Sequence, residues 1–208
     1  MPSTSDLNDA KQRLRTEALV RRRAARAAAV AERGEPVAER VRDHFLAAFD
    51  PQPGTPVSGF WPIGDEIDVE PLMGALDGRG CLCALPVVAG RGRPLTFRRW
   101  RLGDALKPGP KGTFEPVPEC AEIVPSLVIV PLLAFDIAGR RIGYGAGYYD
   151  TTLARLRARG AVTTVGVAFA AQEFPDLPAG DGDEPLDWVV TEEGARQCAP
   201  GARRGDGD

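Results

Sequence analysis

The segment with the most chemistry in this chain is Arg141-Ile142-Gly143-Tyr144-Gly145-Ala146-Gly147-Tyr148-Tyr149-Asp150. Its three glycines alternate with other residues, follow an apolar run and precede a segment of helical spacing. Closely spaced glycines let backbone N–H groups approach an anion, and a helix N-terminus adds positive dipole. The spacing is neither the dinucleotide G-x-G-x-x-G nor the P-loop, which ends in Gly-Lys-Ser/Thr. A tight turn needing positive φ accounts for the same glycines, so the loop alone leaves both readings open. Two other sets of residues favour phosphate. Arg141 in the loop, with Lys11 and Arg15 on the first predicted helix, are cations suited to phosphate oxygens. Asp150, Asp183 and Asp187 offer hard oxygen ligands, and Mg²⁺ is usually held by one or two carboxylates plus substrate phosphates. An Asp-rich stretch such as 181–187 is also what a solvated turn looks like.

The elements that must position these groups read as α/β. Helical spacing covers about Ser5 to Arg33, is broken by Gly34-Glu35-Pro36, and resumes to about Phe49. The first of these helices carries Lys11, Arg13, Arg15, Arg21, Arg22, Arg23 and Arg26. Composition favours a solvated face for that run, over a nucleic-acid arm or a phosphate-binding surface. Val57–Trp61 reads as a short buried strand, followed by the polar turn Ile63-Gly64-Asp65-Glu66-Ile67-Asp68 and a helix with Val69, Leu72, Met73 and Leu76 at helical spacing. Cys81–Leu85, closed by Pro86, and Leu95–Trp100, at an edge, read as strands. Leu127–Leu133 is the most hydrophobic stretch and belongs at the centre of a sheet. Thr164–Phe169 and Trp188–Thr191 read as the last two strands. Alternating helices and strands predict one open, mostly parallel sheet with helices on both faces. Residues 1–195 are expected to form one domain and 196–208 a disordered tail.

Composition excludes several functions. The net charge of -3 argues against a nucleic-acid binder. No apolar run approaches the roughly 18 residues of a membrane span, and Met1–Asp9 lacks a secretory apolar stretch. A cytoplasmic monomer is expected. The four cysteines, Cys81, Cys83, Cys120 and Cys198, fail the zinc spacings and read as reduced structural thiols. The one histidine, His44, lies among Val37, Val41 and Phe45 at helical spacing, which suits a structural residue and leaves a His-based triad without its base.

Together these pieces resemble the 5-formyltetrahydrofolate cyclo-ligase family, also called 5,10-methenyltetrahydrofolate synthetase. The most specific string is Val130-Pro131-Leu132-Leu133-Ala134-Phe135-Asp136, then Gly139, then Arg141 through Asp150. Lys11-x-x-Leu14-Arg15, Asp65-Glu66-Ile67-Asp68, Gly112-Thr113-Phe114-Glu115-Pro116, Val165-Gly166-Val167-Ala168-Phe169 with Gln172, and Asp183-x-x-x-Asp187 extend it over nearly the whole chain. The resemblance implies a three-layer α/β/α fold similar to that of sugar-phosphate isomerases and CoA transferases. It implies ATP-dependent, Mg²⁺-dependent closure of 5-formyltetrahydrofolate to its 5,10-methenyl form. Lys11, Arg15 and Arg141 with Ile142, Gly143, Tyr144, Gly145, Ala146, Gly147, Tyr148 and Tyr149 would hold the nucleotide. Trp61, Glu66 and Tyr144 to Tyr148 would face the folate, Arg141 and Tyr148 would act in catalysis, and Asp150 and Asp183 would carry Mg²⁺, with Asp187 a further candidate. The chain departs from the family where members often carry cations, having Thr151 after the closing Asp and Tyr144 and Ala146 inside the loop. Lys111, in the Gly/Pro loop, is a candidate substitute. Other enzymes of the fold, or a folate or nucleotide carrier without turnover, are the competing readings.

Overall fold

The computed structural model describes residues 4–32, 34 and 36–199. Four α-helices and eleven strands follow in chain order among them. They are α1 Thr4–Ala31, α2 Val37–Ala48, β1 Pro56–Ser58, α3 Glu70–Gly78, β2 Leu82–Val87, β3 Thr96–Arg99, β4 Leu106–Pro108, β5 Phe114–Pro116, β6 Leu127–Pro131, β7 Ala134–Phe135, β8 Arg141–Ile142, α4 Tyr148–Arg157, β9 Thr163–Val167, β10 Trp188–Thr191 and β11 Gly194–Gln197. Seven strands form the main sheet in the order β11-β10-β9-β6-β1-β2-β3. All neighbours from β10 to β2 are parallel, and the two edge strands β11 and β3 are antiparallel.

The most apolar segment does become the central strand. Along β6, Leu127 and Ile129 face one core while Val128 and Val130 face the other, because successive side chains alternate across a strand. The first core packs Val41 and Phe45 of α2 and Leu72, Met73 and Leu76 of α3 against the sheet. The second packs Leu153 and Leu156 of α4 against it. A sheet covered on both faces needs apolar residues at every position, which explains the unbroken LVIV of β6. The result is the expected three-layer α/β/α sandwich. A third, smaller core joins Leu14 and Ala18 of α1 to Leu133, Ala134, Ile142, Phe174 and Leu177, and so docks α1 beside the β7–β8 hairpin.

Three details differ from the sequence reading. β2 runs through Pro86 to Val87 instead of stopping before it. β1 ends opposite Ala84, so the Pro86 nitrogen, which points to the β1 side of β2, faces no strand there and its missing N–H is tolerated. The Gly/Pro-rich loop contains the β4–β5 hairpin. The tail expected to be disordered from residue 196 begins instead as β11, which covers the outer edge of β10. Cys198 N–H and Ala199 N–H continue the tie, donating to the Asp187 and Ile137 carbonyls at 2.9 and 3.0 Å. An uncovered β10 would leave a row of unpaired backbone groups, and this hairpin removes it. The rest of that tail, 200–208, lies outside the described residues. No described helix is long and apolar enough to cross a membrane.

Candidate active site

One cleft, of about 240 Å³, gathers nearly all the residues singled out above. It lies beyond the C-terminal ends of β1 and β6, the usual place for a ligand in an open α/β sheet. Lys11, Arg15, Trp61, Glu66, Arg141, Asp150, Asp183 and the loop from Gly143 to Tyr149 all line it. Ile142 does not: its side chain is buried in the third core, and its carbonyl accepts the Leu133 N–H at 2.8 Å. Asp187 also stands apart from the cleft. Its carboxylate accepts from the backbone N–H and the hydroxyl of Thr164, both at 2.8 Å, and so ties β9 to β10.

The glycine loop is shaped by two left-handed residues, Gly145 at φ +88° and Gly147 at φ +69°. Gly147 is the N-cap of α4 and supplies no side-chain cap to the first N–H groups of the helix, whose opening residues Tyr148, Tyr149 and Asp150 line the cleft. A Cβ on Gly145 would stand 3.2 Å from the Arg15 guanidinium, which therefore lies directly against the loop backbone. Arg15 Nε also donates to the Gly143 carbonyl at 3.0 Å, clamping the loop to α1.

Each carboxylate proposed for a metal is already neutralised by a cation. Arg141 Nη2 donates to Asp150 at 2.7 Å, and Lys11 Nζ donates to Asp183. Arg141 is nearly buried, whereas Asp150 and Asp183 keep 31% and 29% of their side chains exposed, enough to meet a ligand. The Glu184 N–H donates to Asp150 at 3.2 Å, which brings the segment carrying Asp183 against the start of α4. Among the described residues no cluster of three or more candidate ligands exists. Two hard carboxylates on one wall fit an ion that takes its other ligands from water and phosphate. They do not make a complete protein cage.

The rest of the lining is aromatic and acidic. Trp61 and Phe114 pack with ring centroids 5.2 Å apart. Glu66 is buried, with the Ile63 N–H donating to one oxygen at 2.7 Å and the Tyr144 hydroxyl to the other at 2.9 Å. Burial pushes the Glu66 carboxyl above the usual carboxylate range, against the pull of the Ile63 N–H, Tyr144 and Arg22. The Tyr144 hydroxyl is pushed up to about 12, first by burial and then by the Glu66 charge.

Sequence reasoning missed Arg22, whose guanidinium lies behind this wall and donates to the Tyr144 hydroxyl at 2.9 Å. The basic run is not one solvated face. Arg13, Arg23 and Arg26 are exposed, while Lys11, Arg15 and Arg22 turn inward. The signal was present: Lys11, Arg15, Ala18 and Arg22 are spaced four, three and four apart, one stripe of a helix. Phe114 and Lys111 also line the cleft. Lys111 does so with φ +57°, the one non-glycine residue in the left-handed region among those described.

Comparisons with known proteins bear on the family of the chain. The model of the 5-formyltetrahydrofolate cyclo-ligase family matches residues 7–192. The 5-formyltetrahydrofolate cyclo-ligase of Haemophilus influenzae is 27% identical over 185 residues, covering 85% of this chain and 94% of its own. The solution structure of Aquifex aeolicus 5,10-methenyltetrahydrofolate synthetase superposes with a TM-score of 0.69 at 30% identity, over 93% of this chain and 95% of that one. The synthetase from Mycoplasma pneumoniae shares the fold, with a TM-score of 0.65 at 20% identity over 88% and 99% of the two chains. With its family model matching from α1 through β10, this chain belongs to the 5-formyltetrahydrofolate cyclo-ligase family.

Proposed function

We propose that the protein converts 5-formyltetrahydrofolate and ATP to 5,10-methenyltetrahydrofolate, ADP and phosphate, with Mg²⁺, as a cytoplasmic monomer. The observation that carries this reading is that one cleft is lined both by phosphate-seeking groups and by an aromatic, acidic set suited to recognising a ring. A formamide oxygen is a poor leaving group. Its attack on the γ-phosphorus of ATP would release ADP and leave an activated imino-phosphate. The folate N10 then bonds to the former formyl carbon, the carbon–oxygen bond breaks, phosphate departs, and the N10 proton passes to solvent.

Positioning and charge neutralisation are the protein's main work in such a phosphoryl transfer. The N–H groups of the glycine loop and the start of α4 would cradle phosphate oxygens. Lys11, Arg15 and Arg141 would neutralise the charge that develops on them. Asp150 and Asp183 would hold Mg²⁺, which when bound shields the phosphate oxygens. Glu66 would accept N–H bonds from the pterin, with Trp61 and Tyr148 as flat surfaces against the substrate rings. Arg141 reaches Asp150 and the Glu184 carbonyl from a nearly buried position, so it is held still for its task. The competing carrier reading predicts binding without phosphate release.

The test is absorbance of the 5,10-methenyl chromophore with purified protein, 5-formyltetrahydrofolate, ATP and Mg²⁺, each omitted in turn. A rise that requires all components supports the reading. Folate binding without any rise would move it to a carrier.

A further inference from the structure

Arg22 has no part in the chemistry above, yet it occupies the least expected place for an arginine. It sits in the middle of α1 with only 3% of its surface exposed. A buried guanidinium is costly unless its charge and donors are matched. Its Nη1 serves two acceptors, the Tyr144 hydroxyl at 2.9 Å and Glu66 Oε1 at 3.5 Å. Its Cζ lies 5.7 Å from the centre of the Tyr144 ring, and its Nε has no hydrogen-bond partner. A leucine or methionine would fill the same volume without that penalty.

The two acceptors come from different segments of the cleft lining. Glu66 lies in the turn between β1 and α3, on the wall read as folate-binding. Tyr144 lies in the glycine loop, read as nucleotide-binding. Tyr144 also donates to Glu66 at 2.9 Å, so three side chains from three separate segments close on one another. Arg15, two helical turns earlier on the same stripe of α1, clamps the loop again through the Gly143 carbonyl.

We propose that Arg22 is a positioning residue that locks Glu66 to Tyr144 and thereby couples folate binding to closure of the nucleotide loop. A loop ordered by nucleotide presents Tyr144 to Glu66 in its bonded position, and a folate seated on Glu66 favours the same arrangement. By linkage each ligand then tightens the other. The proposal rests on the functional reading above.

The experiment measures the folate dissociation constant by titration, with and without a non-hydrolysable ATP analogue and Mg²⁺, in wild type, Arg22→Met, Arg22→Lys and Tyr144→Phe. In wild type the nucleotide should tighten folate binding by at least about fivefold, a typical coupling between sites. Arg22→Met should bring that ratio to about one while nucleotide affinity measured alone changes little. Arg22→Lys should restore part of it, because an ammonium keeps the charge and the donors that Nη1 supplies but sits on a shorter stem. Tyr144→Phe keeps the ring and the buried charge pair, removes the hydroxyl between them, and should lose the coupling even if Arg22→Met does not fold. Equal ratios in wild type and in the folded variants overturn the proposal. Failure of wild type to form the methenyl chromophore overturns the functional reading instead, which separates the two.

Discussion

Replacing Glu66 with glutamine tests the recognition wall and separates function from stability. The carboxylate has about four acceptor positions. The Ile63 N–H, the Tyr144 hydroxyl and Arg22 take three of them, leaving one for a substrate donor. Glutamine keeps the shape but has one oxygen, and either amide orientation turns an NH₂ toward a group that now donates. A charge-assisted hydrogen bond is worth about 1.5–3 kcal/mol, which corresponds to roughly a 10- to 150-fold rise in the folate KM. The ATP KM, measured at saturating folate, should rise less, by about the fivefold coupling that the Glu66–Tyr144 contact carries, since no phosphate-facing group has changed. Both constants come from initial rates of methenyl formation, varying one substrate while saturating the other. An unchanged folate KM would remove Glu66 from the substrate contacts.

Stability should move the other way. Burial raises the Glu66 carboxyl above its ordinary range, so the folded state holds that proton more tightly than the unfolded chain does. Such a group contributes its full stability below the ordinary glutamate pKa and loses it as pH climbs through the raised value. Wild type measured against Glu66→Gln should therefore lose relative stability as pH rises from about 4 toward neutrality, levelling once the carboxylate is ionised. Urea midpoints across that range would show it. A difference that grows with pH would mean that Arg22 outweighs desolvation.

Three further outcomes follow from the same packing. Asp183→Asn frees Lys11 from its acid partner and removes a negative charge beside the phosphates. Metal-free ATP, titrated in the presence of a chelator, should bind severalfold tighter to this variant while Mg²⁺-supported turnover falls; unchanged metal-free affinity would count against Asp183 facing the nucleotide. Gly139→Ala would put a Cβ 2.4 Å from the Leu186 carbonyl oxygen at φ +77°. The left-handed penalty and the forced backbone shift together cost about 2–5 kcal/mol, or roughly 5–15 °C in Tm, with the folate KM unaltered; a Tm near wild type would refute this. Burial pushes the Cys83 thiol to about 12 and that of Cys198 to about 11. Their reactive thiolate is scarce at pH 8, so alkylation of the native protein should mark the partly exposed Cys120 first, and early labelling of Cys83 would contradict the packing.

The layers of the fold were legible because burial leaves a mark on every residue of a strand. Leu127–Pro131 alternates between two cores and so carries apolar side chains throughout, which marks it from the sequence as the centre of the sheet. The glycine loop was legible because its shape needs glycine at positive φ, at Gly145 and Gly147. What stayed hidden depends on contacts between distant segments. β11 exists because β10 needs a neighbour, and nothing within Gly194–Gln197 announces that demand. Arg22 was counted among surface cations because composition does not record direction. Only the spacing from Lys11 and Arg15 separates it from Arg21 and Arg23 on either side. Pro86 reads as a strand breaker until the far edge of β1 shows its missing donor to be harmless.

The ion pairs of the cleft favour the phosphoryl-transfer reading over that of a simple folate carrier. Arg141–Asp150 and Lys11–Asp183 each bring opposite charges to a place from which solvent is partly excluded. Such pairs contribute little to stability, because the loss of hydration offsets much of their attraction. A carrier for one organic anion would need the cations alone, and the acids beside them would weaken its grip. A site for a nucleotide with a divalent ion needs both signs side by side. Phosphate oxygens can then take over the cations while the ion takes over the carboxylates, so each charge exchanges one partner for another and none is left bare. The same exchange would draw Lys11 and Arg141 toward the phosphates in the step that places the nucleotide. Glu66 takes its donors from Ile63 and Tyr144 and not from these ion pairs, which would suit a group that orients a neutral ring and takes no part in the transfer.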